Sequence, residues 1–146
     1  MIPKIHVVVA LAALIAGCGG GNADAFVGEW TYSGVITPNC FQIEVPPLDL
    51  TGSTVTITKT DDEHLQVALD ASCVVSFTVD GDKASASPNS ICMLEVPTLG
   101  LSSITISSWT LTLSNGMITS QFAGAVLVCM PAGTGALTKV AAASGS

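Results

Sequence analysis

Apolar side chains recur at every second position over long stretches of this chain, and that period of two constrains the fold more than any other feature. Residues 53–58 alternate hydroxyl and aliphatic side chains, Ser-Thr-Val-Thr-Ile-Thr. Residues 64–70 place Leu65, Val67 and Leu69 on one face, and residues 73–80 do the same with Cys73, Val75, Phe77 and Val79. Successive strand side chains point to opposite sides of a sheet, so this pattern marks half-buried antiparallel strands. β-Branched residues are abundant, as strands prefer. No segment after residue 25 keeps a helical period.

Turn signals separate the runs. Asp61-Asp62-Glu63 and Asp80-Gly81-Asp82 each close a short hairpin, and Ser114-Asn115-Gly116 suits a type I′ turn. The spacing predicts strands at 27–37, 40–45, 53–60, 64–70, 73–80, 83–87, 103–113, 117–129 and 134–140, with 91–96 as one more candidate. Short strands with frequent turns give an all-β fold: an antiparallel up-and-down barrel of about 8–10 strands, with a β-sandwich as the alternative. The expected inward set is Trp30, Tyr32, Ile36, Val55, Ile57, Leu65, Val67, Leu69, Val75, Phe77, Val79, Trp109, Leu111, Leu113 and Phe122. A weak repeat runs through the domain. Pro38-Asn39-Cys40 leads to Glu44-Val45-Pro46, and Pro88-Asn89-Ser90-Ile91-Cys92 leads to Glu95-Val96-Pro97. A duplicated half-barrel and chance likeness between two Pro-containing segments both account for it.

The N-terminus has a different character. Lys4 is the only charge before Asp24, and residues 5–16 are apolar apart from His6. That is a secretory leader, too short to span a bilayer comfortably. It ends in Ile15-Ala16-Gly17-Cys18, which resembles the lipobox of bacterial lipoproteins. The resemblance implies cleavage after residue 17 and acylation of Cys18, so that the partner is membrane lipid. Gly19 stands where an Asp often signals inner-membrane retention, and by the same resemblance the expected location is the cell envelope, at the outer membrane. The expected organisation is a signal peptide 1–17, a lipidated Cys and flexible tether 18–25, a β domain 26–140 and a disordered tail 141–146.

The four remaining cysteines, Cys40, Cys73, Cys92 and Cys129, read as two disulfides in an exported chain. If strand one runs upward and strands alternate, Cys40 and Cys129 fall at the top, and Cys73 and Cys92 at the bottom. The expected pairs are Cys73–Cys92 and Cys40–Cys129. There is no Cys-x-x-C motif, and a zinc site would have to rely on His64; no metal or other cofactor is expected.

Charge narrows the partners. The chain carries net charge −7 and no arginine; its cations are Lys4, Lys59, Lys83 and Lys139. Such a protein does not bind nucleic acid by neutralising phosphate, and anionic head groups will not attract it. Asp61, Asp62 and Glu63, or Asp80 and Asp82, have oxygen enough for Ca²⁺, but both clusters sit at expected hairpin turns, where Asp is favoured for its own backbone bonding, and a solvated turn is the better reading. Glu44 and Glu95, at matching repeat positions, are a conceivable acid–base pair. A Ser-His-Asp site would need His64, and no Gly-x-Ser-x-Gly, Gly-x-Gly-x-x-Gly or P-loop pattern is present. No enzyme is expected.

Phe26-Val27-Gly28-Glu29-Trp30 at the start of the domain and Leu137-Thr138-Lys139-Val140 at its end resemble the calycin group of lipocalin and avidin-like barrels. By that resemblance Gly28 and Trp30 form the first-strand motif and Lys139 is the basic partner that packs on the Trp, with Lys in place of the usual Arg. There is also a looser likeness to small disulfide-bearing bacterial lipoproteins, which implies no activity. Two functions follow as expectations. One is a non-catalytic envelope lipoprotein holding an apolar small molecule in its barrel. The other is a structural or protein-interaction (inhibitor-like) lipoprotein with a filled core.

Overall fold

A computed structural model of the chain describes residues 22–96 and 98–140. The expected leader, Cys18 and the tail 141–146 lie outside the described residues. A single 3-10 turn, Ala23–Phe26, precedes ten strands. They are β1 (Gly28–Thr37), β2 (Leu48–Asp49), β3 (Thr54–Asp61), β4 (His64–Asp70), β5 (Cys73–Asp80), β6 (Lys83–Ala86), β7 (Ser90–Val96), β8 (Gly100–Ser114), β9 (Met117–Ala125) and β10 (Ala132–Lys139).

Eight of these strands close an antiparallel barrel in the order β1-β3-β4-β5-β6-β8-β9-β10, and β10 returns to β1. Closure rests on a continuous pairing from Trp30↔Lys139 to Thr37↔Ala132. The fold is the expected all-β barrel rather than the sandwich. Closing the sheet removes the open edges that an eight-strand sheet would otherwise expose. β2 and β7 are the two extra strands. β2 lies beside the upper part of β1, above the stretch that pairs with β3. β7 lies beside the upper part of β8, above the stretch that pairs with β6.

The strand directions define two ends. The floor holds the 3-10 turn, the start of β1, the end of β10 and the hairpins β3–β4, β5–β6 and β8–β9. The rim holds the segments 38–53 and 126–131, the β4–β5 turn and the tip of the β7–β8 hairpin. Along β5 the burial alternates strictly, with Cys73, Val75, Phe77 and Val79 inward. Of the expected inward set, Leu69, Leu113 and Phe122 are only partly buried, packed against the core, and the others are buried. Phe26, Ile104, Ile106, Ile118 and Leu137 join them in the core.

Three readings of the sequence need correction. Residues 40–45 form bends and irregular chain, not a strand; Gln42 has a positive φ of 62° and two prolines follow. β9 stops at Ala125, because residues 126–129 close a tight turn with Leu127 at φ 51° and a Val126↔Cys129 bridge. Removing the 40–45 strand reverses the direction of β3, β4, β5 and β6. Cys73 and Cys92 therefore lie at the rim with Cys40 and Cys129, not at the opposite end. Because both shift together, they still meet: the structure joins Cys40 to Cys129 and Cys73 to Cys92.

The two repeat copies occupy matching places, each between the first strand of a half-barrel and the next strand of the closed sheet. Asn39 and Asn89, each following a Pro, both adopt positive φ, 49° and 61°. Asn tolerates that region better than other side chains do. Beyond it the copies part, since 90–96 is a strand and 40–45 is not.

Candidate functional site

At the floor, Trp30 is buried and its Nε1 donates to the Phe26 carbonyl at 2.9 Å. Lys139 Nζ donates to the Val27 carbonyl at 3.0 Å and lies 5.3 Å from the centre of the Trp30 ring. Gly28, at φ 140°, sits against this pair; a β-carbon there would fall 2.9 Å from Lys139 Cε. The structure therefore brings Gly28, Trp30 and Lys139 together as a plug under the barrel. Asp24 adds an ion pair to Lys59 at 2.9 Å. Every one of these contacts serves closure, and none leaves a reactive group free.

An eight-stranded barrel can hold one small ligand or fill itself with side chains. Here the middle is filled. Trp109 stacks edge-on against Phe77 and Phe122 at centroid distances of 5.2 and 5.8 Å. Its Nε1 donates to Ser120 Oγ at 2.9 Å. Burial pushes the Tyr32 phenol pKa up, with the nearby Ser120 hydroxyl opposing it. Its ring lies over Gly135, where a β-carbon would fall 2.5 Å from Tyr32 Cζ. Two small apolar voids lie toward the rim among the described residues. One, among Tyr32, Leu69, Leu94 and Trp109, measures about 10 Å³. The other, among Leu48, Val96, Leu99 and Ile104, measures about 20 Å³. Each has room for about one water, against the roughly 300 Å³ or more of a small-molecule pocket.

The carboxylates behave as turn residues. Asp49, Asp61 and Asp70 each accept the backbone N–H two residues ahead, at 3.0, 2.8 and 2.8 Å. Asp61 also meets His64 Nδ1 at 2.7 Å. His64 is exposed, and no hydroxyl hydrogen-bonds it among the described residues. Asp80 and Asp82 are exposed in the β5–β6 turn. No group of three or more His, Cys, Asp or Glu among the described residues is arranged to hold a metal ion. Glu44 and Glu95 are both exposed and share no hydrogen bond.

Two surfaces stand out that the strand pattern did not single out. At the rim, Asn39–Phe41 pairs with 128–130 through Phe41 N–H to Val128 O at 3.1 Å and Met130 N–H to Asn39 O at 3.1 Å. The Cys40–Cys129 bridge fastens the two segments. Phe41, Leu127 and Met130 are 69%, 81% and 68% exposed. The second surface is the outer wall of β8, β9, β10 and β1. No Asp, Glu, Lys or Arg occurs from Trp30 to Ile43 or between Glu95 and Lys139. These four adjacent strands thus present a wall without formal charge, from just above the floor to the rim. The gaps in charge were readable along the chain; their adjacency required the barrel order. On this wall lies a concavity of about 650 Å³, open to solvent.

No family model, curated protein or solved structure matches this chain.

Proposed function

We propose that this is a lipid-anchored protein of the bacterial cell envelope, held at the outer membrane through acylated Cys18, that binds partners without chemical turnover. Binding uses the outside of a filled barrel. The observation that carries this reading is the contrast between the interior, with voids of about 10 and 20 Å³, and the outer concavity of about 650 Å³. A charge-free wall supports it too, since an interface centre is depleted of charged residues.

The second reading, an apolar small molecule inside the barrel, draws on the two voids. Both touch Ile36 at the rim and both are apolar. A ligand there would have to displace Tyr32, Leu94 or Leu99. Native mass spectrometry of the protein extracted from its own envelope separates the two. The expected spectrum shows the acylated chain with no further non-covalent mass. A stoichiometric apolar adduct, released on unfolding and quenching Trp fluorescence on rebinding, would replace the surface reading with the interior one.

A further inference from the structure

We propose that the concavity on the β8–β9–β10–β1 wall is a binding site for a neutral oligosaccharide. This rests on the surface-binding reading above and names the ligand class. The site is lined by Thr37 and Asn39 at the end of β1, Ser108 on β8, Gln121 on β9 and Thr134 on β10. Val35, Phe122 and the small residues Ala123, Ala132 and Gly133 complete the lining, an apolar base between the polar groups.

Charge selects the ligand. None of the lining residues is ionisable, and the strands that carry them have no formal charge from Trp30 to Thr37 or anywhere in β8 and β9. An anionic or cationic ligand would give up hydration with no counter-charge to replace it. A neutral polyol only exchanges hydrogen bonds with water for hydrogen bonds with protein. Sugar hydroxyls both donate and accept, and so do the hydroxyls and amides of this lining. The side chains of Thr37, Ser108, Gln121 and Thr134 make no hydrogen bond to protein among the described residues, so their capacity is open to a ligand. An acyl chain would leave those groups unpaired.

The site is also held in shape. Asn39 Nδ2 donates to the Thr37 carbonyl at 3.2 Å and to the Met130 carbonyl at 3.1 Å. That fixes the amide and leaves Oδ1 unengaged. Asn39 precedes the bridged Cys40 and sits at φ 49°. On β8 the register shifts between Ile106 and Ser108, so Ser107 and Ser108 are both exposed and the alternation is broken. Such bulges re-aim side chains beside binding sites, and this one turns Ser108 into the concavity.

The test is a ¹⁵N–¹H titration of the full-length protein, produced with its own leader and extracted in a zwitterionic, sugar-free detergent. The probes are maltotetraose and tetra-N-acetylchitotetraose, both neutral, with tetragalacturonate as the acidic comparison. The expected result is that at least one neutral probe shifts amides at 35–39, 107–108, 121–123 and 132–134, with Kd on the order of 1 mM or tighter. Gln121→Ala and Ser108→Ala, both at exposed positions, each weaken it about five- to tenfold. Thr56→Ala, outward on β3, does not. Tetragalacturonate binds at least about tenfold more weakly. No shift on the wall with either neutral probe, or equal binding of the acidic one, overturns the proposal. Shifts centred on Tyr32, Leu69 and the Trp109 indole would overturn it together with the surface reading. Wall resonances that broaden with protein concentration and ignore sugar would show contact between copies; that overturns the saccharide and leaves surface binding standing.

Discussion

Trp30 holds the floor closed because three groups converge on it: the Phe26 carbonyl, the Lys139 ammonium and the apolar walls of β1 and β3. Trp30→Ala should therefore cost about 3–5 kcal/mol, a large-to-small change in a core that cannot collapse around it. Lys139→Met keeps the packed stem and loses the charge contact and one hydrogen bond at an exposed position, about 0.5–1 kcal/mol. Urea unfolding of the two variants checks the ordering; equal losses would mean that the ammonium matters as much to closure as the indole. The turn carboxylates make a separate statement about pH. Hydrogen bonds from the Ser72 hydroxyl and N–H hold Asp70 below its usual pKa, the Thr51 N–H does the same for Asp49, and the Glu63 N–H with His64 does so for Asp61. A depressed carboxylate pKa stabilises the fold above the unfolded value, near 3.9, and that contribution is lost as pH falls through the folded value. The thermal midpoint should hold from pH 7 to about 5 and decline below it, with a shallower decline in Asp70→Asn. A midpoint that rises on acidification would reverse the sign. At this scale the sequence was informative where side chains alternate. It was silent on Ser120, whose buried hydroxyl accepts from the Trp109 indole, because a buried serine looks like any outward one until the strands are paired.

Alternation located most strands because it is a local property, set by each residue's own neighbours. It failed at 40–45, where Cys-Phe-Gln-Ile-Glu-Val reads as a strand but the chain bends, with Gln42 at positive φ. It also ran β9 on to Cys129, past the turn at 126–129. Both errors lie at the rim, where apolar residues are exposed and the period of two no longer reports on burial. The first error reversed the direction of four strands, β3 to β6, yet the cysteine pairs are those expected, since pairing depends on two cysteines sharing an end and not on which end it is. The bridges differ in what they close. Cys73–Cys92 spans 19 residues and Cys40–Cys129 spans 89. In the chain-entropy model the first contributes about 3 kcal/mol and the second about 4–5. Replacing each pair by alanine removes the same atoms, so the variants differ in the loop term and in the local packing of the cysteines. Denaturation should show Cys40→Ala/Cys129→Ala as the less stable by about 1 kcal/mol or more. A reversed order would mean that the native packing of Cys73 and Cys92 outweighs the loop.

For the molecule as a whole, charge and attachment divide the barrel along two different axes. Around its girth, ionisable side chains lie on β2–β7 and their turns, with Asp49 on β2 and Glu95 on β7 bordering the neutral wall of β8, β9, β10 and β1. Along its length, the chain enters at the floor, where the 3-10 turn is tied down by Trp30, Lys139 and Lys59. If Cys18 is acylated, residues 18–22 span at most about 15–18 Å, so the floor must face the bilayer and the rim must point away. The exposed Phe41, Leu127 and Met130 then cannot serve as a second insertion into the same membrane, and the neutral wall stands upright on it. Fluorophores at Asn115→Cys, in the floor hairpin, and at Glu44→Cys, at the rim, test this in vesicles carrying a head-group quencher. The floor label should be quenched several-fold more strongly than the rim label, and Cys18→Ser should leave the protein unacylated by an alkyne palmitate analogue and abolish the quenching. Equal quenching at both labels would mean a barrel lying on its side. Stronger quenching at the rim would make Phe41, Leu127 and Met130 a membrane contact, and the partner surface would then have to be sought on the wall alone.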